Sequence, residues 1–288
     1  GYTIRILDNM LSNKYYSLFD LSEDIKYEFI LGDIRNLDDA KKAFRDVELV
    51  FDLAGITSVP LSFKKEKETL EINVEGVRKL LRAAAKSDVE RIIYSSSAAV
   101  YGDVNGLVDE KHPCNPGSPY ARSKLLAEQL YLEAFKETGL KVSILRLGTV
   151  YGYAPGMRFD TVVNKFTFLA CTGYPLTVWR GAENDMRPYL YIGDAINAFL
   201  LIASEKRTVG EVYNVTTENA KLKDVIDAIS KIIPSIKINY VEPMYRKQVS
   251  YGLDSSKIEA IGFKPKGSLY SGIKEVVEHF KPFIKHLL

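Results

Sequence analysis

Arg91-Ile92-Ile93-Tyr94-Ser95-Ser96-Ser97, followed after a loop by Ser118-Pro119-Tyr120-Ala121-Arg122-Ser123-Lys124, decides how this chain folds. The first run reads as a strand from Arg91 to Ser95, and the second opens a helix predicted from Pro119 to Thr138. Val142 to Leu147 then reads as a further strand. Strand, helix and strand in that order predict a parallel sheet with the helix packed against it.

Residues four apart on a helix share a face, so the Tyr120 phenol and the Lys124 ammonium stand side by side. A lysine charge beside a tyrosine favours the phenolate, which makes a usable base near neutral pH. The serines that end the preceding strand bring a hydroxyl, Ser97, toward the phenol. The three residues suggest a proton-transfer site beside a nucleotide cofactor. Spacing alone does not carry this, because composition predicts one or two Tyr-x-x-x-Lys pairs by chance and the chain has two. The other, Tyr270/Lys274, has no upstream strand ending in serines and reads as a surface pair.

Working outward, Thr3 to Leu7 reads as a strand that ends at Asp8, and Tyr27 to Leu31 as a second, followed by Gly32-Asp33 and a helix from Leu37 to Arg45. Leu49 to Ala54 is a third strand. Leu70, Val74, Val77 and Leu81, at helical spacing, predict one long helix from Lys65 to Lys86. Such alternation predicts an α/β fold with helices on both faces of a parallel sheet. Residues 102–119, rich in Gly, Pro, Asp and Asn, form a long loop at the carboxyl end of a strand, where such sheets bind ligands. Beyond Tyr151 the pattern is less regular and predicts a smaller mixed α/β lobe. The expected division is 1–155 and 156–288, with residues near 188–204 returning to the first domain.

Composition narrows the function. A net charge of +2 gives no electrostatic footprint for nucleic acid. Cys114 and Cys171 make neither a disulfide framework nor, with the scattered histidines, a metal site. The longest apolar stretches, such as Ala195 to Ala203, are too short to span a bilayer. No basic region followed by an apolar one opens the chain. The expectation is a cytoplasmic protein with no metal, nucleic-acid or membrane partner.

Asp8 ends a strand where a carboxylate accepts hydrogen bonds from both adenosine ribose hydroxyls of NAD and repels a 2′-phosphate. Asp33, after the next strand, is placed to flank the adenine or to open a helix.

Taken in order, Asp8-Asn9-Met10, Gly32-Asp33-Ile34-Arg35-Asn36, Leu53-Ala54-Gly55, Asn73-Val74-Glu75-Gly76, Ser95 to Gly102, Tyr120 with Lys124, and Arg187-Pro188-Tyr189 resemble the extended short-chain dehydrogenase/reductase family. Within it the resemblance is to the UDP-galactose 4-epimerase group, and it spans nearly the whole chain. It implies a Rossmann-type doubly wound parallel sheet. It also implies NAD as cofactor, with Asp8 and Asn9 on the adenosine ribose and Asp33 and Ile34 beside the adenine. Leu53, Ala54, Gly55, Asn73 and Ser95 would line the cofactor. Lys124 would hold the nicotinamide ribose and lower the Tyr120 pKa, and Ser97 would hydrogen-bond the sugar. The implied substrate is a nucleotide-diphosphate sugar, the implied reaction 4-epimerisation through a 4-keto sugar, and the implied assembly a homodimer paired through the two long helices.

Dehydratases of that family carry an Asp-Glu pair after the hydroxyl residue, and its decarboxylases a glutamate; here the positions are Ala98 and Ala99, which have no proton to give. Other positions depart from the epimerase group. Thr149 stands where an asparagine often contacts the substrate phosphate. Arg246 lacks the Gly-Asp that usually follows, and Ile56-Thr57 replaces a lysine-containing pair. Arg187 and Arg246 are the candidates for diphosphate contacts, since guanidinium groups grip phosphate bidentately, and Arg158 is a third. The sequence enters at what reads as the second strand of a dinucleotide fold. The expectation is therefore a first strand and Gly-rich turn belonging to a longer enzyme, a strand that would sit between those starting near Thr3 and Leu49.

Overall fold

The computed structural model describes residues 2–19, 21–242 and 250–284. In chain order, β1 (Ile4–Asp8) and β2 (Tyr27–Leu31) precede α1 (Leu37–Ala43), β3 (Leu49–Asp52) and α2 (Val59–Lys64). Next, α3 (Glu66–Leu70) passes through a π-helical turn (Glu71–Glu75) into α4 (Gly76–Ala84) and β4 (Arg91–Ser97). Then come β5 (Asn105–Val108), α5 (Pro119–Thr138), β6 (Lys141–Leu147), β7 (Thr149–Tyr151), α6 (Val162–Cys171), β8 (Leu176–Trp179) and β9 (Met186–Tyr191). The chain continues with α7 (Ile192–Ser204), β10 (Glu211–Val215), β11 (Glu218–Lys221), α8 (Leu222–Ile232), β12 (Ile238–Val241), β13 (Ser250–Leu253), α9 (Ser256–Glu259) and α10 (Leu269–Ile284).

Two compact units divide the chain. Unit one comprises Gly1–Gly102, Pro113–Arg146 and Ile202–Val212; unit two comprises Asp103–His112, Leu147–Leu201 and Tyr213–Leu288. The stretch that returns to unit one is thus Ile202–Val212, whereas the sequence pointed to residues near 188–204.

In unit one, β3 and β4 pair in parallel with Asp52 opposite Tyr94. They belong to a four-stranded sheet of order β10-β6-β4-β3, and β1 and β2 form a separate parallel pair. Among the described residues β1 pairs only with β2, and β3 only with β4, so each presents an unpaired edge. The core joins Ile92, Tyr94, Val142 and Ile144 of the strands to Leu80 and Ala83 of α4 and to Ala127 and Tyr131 of α5. Each large apolar side chain fully buried there is worth about 1.5–3 kcal/mol.

Local chemistry sets the helix ends. Ser118 accepts the Ala121 N–H at 3.1 Å, Pro119 occupies the first turn, and Gly139 closes α5 in the left-handed region. Asn36 caps α1 in the same way through the Asp38 N–H. The helix expected from Lys65 to Lys86 runs through α3, the π-helical turn and α4, from Glu66 to Ala84, and the short α2 that precedes it was not expected. Ser58 caps α2, and Lys65, with φ −133° and ψ 50°, leaves helical geometry before α3 begins.

In unit two, β9 pairs in parallel with β7 and antiparallel with β11, while β12 pairs with β8 and β13 with β5, both parallel. Its core gathers Tyr151, Val163, Phe166, Tyr189, Val225, Ile229, Ile273 and Val277. The buried Asp194 carboxylate accepts from the Thr217 hydroxyl and from the N–H groups of Lys266 and Gly267. Among the described residues no helix is long and apolar enough to cross a membrane, and no three His, Cys, Asp or Glu side chains are grouped to hold a metal ion.

Candidate active site

The carboxyl ends of β1 to β4 and the start of α5 carry most of the residues singled out from the sequence. Lys124, on α5, is 3% exposed. Its ammonium donates to the Ser95 carbonyl at 2.7 Å and lies 4.7 Å from the centroid of the Tyr94 ring. Burial holds the Lys124 pKa down at about 8, opposed by the negative charges of Asp52 and Glu128. Tyr120 stands one helical turn earlier, 9% exposed. Its backbone N–H donates to the Ser62 hydroxyl at 3.1 Å, which fixes the start of α5 against α2.

Ser97 is partly exposed at the end of β4. Its hydroxyl accepts the Ala99 N–H at 3.2 Å and caps a short 3-10 turn, Ala98–Tyr101. That turn ends at Gly102, whose φ of 74° and contact with the Asn115 carbonyl leave no room for a Cβ. The loop carrying Asn115 is thereby laid directly against the end of β4.

At the ends of β1 and β2 the structure joins two predicted cofactor residues: the Asn9 amide donates to the Asp33 carboxylate at 2.8 Å. Arg35 grips the same carboxylate at 3.0 and 2.7 Å and, with the Asn9 bond, holds its pKa at about 2. Asp8 accepts the Met10 N–H through Oδ1 at 2.6 Å. Ile34, expected beside the adenine, turns its side chain into the core against Gly76.

Leu53, Ala54 and Gly55 form the loop after β3. Leu53 is exposed, and the Ala54 N–H donates to Asp52 at 3.1 Å. Gly55 has φ 145°, and a Cβ there would sit 2.8 Å from Asn73 Oδ1. Asn73, in the π-helical turn, is buried. It accepts the Ile56 N–H at 2.8 Å and donates to the Ile56 carbonyl at 3.0 Å and to the Ser123 hydroxyl at 2.9 Å. Both amide hydrogens are thus engaged within the protein, and Ser123 in turn donates to the Tyr120 carbonyl. Asn73 therefore fastens the β3 loop to the helix that carries Tyr120 and Lys124.

Thr149, Arg158 and Arg187 lie in unit two. Thr149 pairs with Tyr189 at the start of β7. Arg187 donates to the Met186 carbonyl, and its guanidinium faces the Tyr251 ring at 5.7 Å. Arg158 forms a two-point ion pair with Asp160, at 2.9 and 2.8 Å. Arg246 lies outside the described residues.

Sequence reasoning missed Asp52, Tyr131, Glu128 and Arg146. The Tyr131 hydroxyl donates to the buried Asp52 carboxylate at 2.7 Å. The Arg146 guanidinium pairs with Glu128 at 2.7 and 3.1 Å, and Glu128 also accepts from Ser96. An acidic residue inside the apolar run Leu49-Val50-Phe51-Asp52-Leu53 was the available signal, because a carboxylate buried there must find partners.

Known proteins share this architecture over nearly its full length. Mouse dTDP-D-glucose 4,6-dehydratase is 33% identical over 282 residues, covering 92% of this chain and 77% of that protein. The Thermotoga maritima UDP-glucose 4-epimerase structure with UDP-glucose superposes with a TM-score of 0.86 at 27% identity, covering 98% of this chain and 92% of that one. A Bacillus cereus UDP-glucuronic acid 4-epimerase in complex with UDP-glucuronic acid and NAD gives 0.87 at 27%, with the same coverage. The fold is the Rossmann type of these enzymes. The sequence pattern of the NAD dependent epimerase/dehydratase family matches residues 1–216, and this chain is a member of that family of nucleotide-sugar enzymes.

Proposed function

We propose that the chain inverts C4 of a nucleotide-diphosphate sugar of the UDP-glucose/UDP-galactose type through a 4-keto sugar. The observation that carries this reading is Tyr120 standing one helical turn before the buried Lys124 on α5, with Ala98 and Ala99 following Ser97 at the end of β4. A base is at hand, and the two residues after the hydroxyl offer no acid to expel water.

NAD is the family's cofactor; when bound it supplies the hydride acceptor and donor. The residues of this chain fit it. Asp8 keeps one carboxylate oxygen clear of the Met10 bond for a ribose hydroxyl. Asp33, held ionised by Arg35 and Asn9, would fix the two loops that flank an adenine, and the Gly55 turn would bring bare backbone to the ligand edge. Lys124 would reach the second ribose with the hydrogens not used on Ser95. Tyr120, as phenolate, would take the proton of the C4 hydroxyl, and Ser97 would hold that hydroxyl in line. Thr149 and Arg187 are our candidates for the substrate diphosphate side. A homodimer in the cytoplasm belongs to the same reading, supported by the exposed Leu61, Phe63 and Leu126 on α2 and α5.

A second reading, dehydration of the sugar, is favoured by the mouse relative. A panel of UDP- and dTDP-sugars with NAD, followed by NMR and mass spectrometry, separates the two. We expect a C4 epimer of unchanged mass, and a product lighter by one water would replace our reading with the second.

A further inference from the structure

Asp52 takes no part in the chemistry described so far, yet it sits beneath it. The residue closes β3 directly opposite Tyr94 in the parallel register, so the two side chains project from the same face of the sheet. That face packs on α5. The Tyr94 ring lies 4.9 Å from the Tyr131 ring and 4.7 Å from the Lys124 ammonium. Asp52 is 4% exposed, and its carboxylate accepts from the Ala54 N–H at Oδ1 and from the Tyr131 hydroxyl at Oδ2. Two donated hydrogen bonds suit an ionised carboxylate, and an ionised carboxylate at this depth needs a cation.

The charged and titratable groups around Lys124 identify the pair. From β3 comes Asp52, from β4 Tyr94, and from α5 Tyr120, Glu128 and Tyr131; β6 contributes Arg146. Glu128 already faces Arg146 through a two-point ion pair that is itself buried, so its charge is offset locally. Tyr94 offers a ring face, and its hydroxyl finds no hydrogen-bond partner among the described residues. Among the described residues around Lys124, Asp52 is the acid whose charge no arginine or second lysine cancels. The electrostatic coupling runs both ways: Asp52 favours the charged lysine, and Lys124 favours the charged carboxylate against the burial that raises its pKa.

We propose that Asp52, anchored by the Tyr131 hydroxyl, is the counter-charge that keeps Lys124 an ammonium, and is therefore a positioning residue for the Tyr120 base. The proposal rests on the catalytic reading of Tyr120 and Lys124 given above. It adds a device that this reading lacks. Burial alone makes the lysine a poor cation, and the phenolate needs a cation beside it. The carboxylate restores the charge from beneath the sheet surface without touching substrate or cofactor.

The test is to follow the Lys124 13Cε resonance against pH in the full chain, assigned by its loss in Lys124→Met, and to compare wild type with Asp52→Asn. The amide keeps the shape and an acceptor but removes the charge. Its expected effect is a Lys124 titration moved down by about one pH unit or more, with the alkaline limb of the turnover profile moving down alongside it. A Lys124 titration unchanged in a folded Asp52→Asn overturns the proposal, whatever happens to turnover. Should that variant not fold, Asp52→Ser, which removes the same charge with a small polar side chain, provides the same readout. Lys124 should again titrate lower in it, and an unchanged titration again overturns the proposal. The resonance needs no substrate. A moved titration in a chain that turns over no nucleotide sugar would leave the charge coupling standing and defeat the proposed function alone.

Discussion

The Lys124 ammonium donates to the Ser95 carbonyl at 2.7 Å, tying the first turns of α5 to the end of β4 at the position where both present candidate catalytic groups. This bond aims the lysine along the carboxyl edge of the sheet, at the cost of burying its charge. In the folded chain its pKa is about 8, against roughly 10.4 for an unfolded lysine. A lysine whose pKa falls on folding destabilises the fold while it is charged, and the penalty fades as pH rises from the folded toward the unfolded value. Replacing the lysine and its counter-charge together, Lys124→Met with Asp52→Asn, should therefore give a protein that is inactive yet more stable than wild type at pH 7, by about 1–3 kcal/mol. The gap should close as pH rises from 8 toward 10. Denaturant melts of both proteins at pH 7 and pH 10 check the sign.

Tyr120→Phe removes one hydroxyl and leaves the backbone bonds to Ser62 and Ser123 in place. Turnover should fall by about two to four orders of magnitude, the usual contribution of a positioned acid–base group. NAD binding, read by fluorescence titration, should persist. Undiminished turnover would remove Tyr120 from the role of base.

Asn73→Leu leaves the Ile56 N–H and carbonyl buried without their partner and frees Ser123. The expected cost is about 2–4 kcal/mol, from several lost hydrogen bonds at a buried site. Because the loop it fastens lies at the proposed cofactor edge, NAD affinity should weaken as well. Denaturation together with NAD titration checks both effects, and an unchanged melt would mean that the π-helical turn does not hold the loop.

Glu128 and Arg146 are buried together, their side chains 2% and 8% exposed. Glu128→Gln alone strands the guanidinium and should cost about 3–5 kcal/mol, whereas Glu128→Leu combined with Arg146→Met should recover much of the loss. A double variant no better than the single one would assign the cost to packing around Ser96 and Tyr101 instead.

Much of unit one was legible because its signals are local. The β2 run Tyr27–Leu31 and the α5 run Pro119–Thr138 stand where apolar periodicity placed them. Ser97, Tyr120 and Lys124 stand on the strand end and the helix predicted for them, because a serine run after a strand and a capped helix start are local signals. The short α2 before Lys65 could not be read, since the Ser62 contact with α5 that accompanies it is made 58 residues away. Asp52 was overlooked for the same reason: its partner Tyr131 is 79 residues distant, and no spacing rule joins them. Arg158 is held by Asp160 only two residues away, a neighbour that the sequence did not mark as its partner.

The most direct measurement uses a nucleotide sugar carrying deuterium at C4, incubated with the protein and NAD and followed by 2H NMR. Retention of the label on C4 of the opposite epimer, with mass unchanged, is the result this account predicts. Deuterium appearing at C6 of a dehydrated product, or lost to solvent, would contradict it.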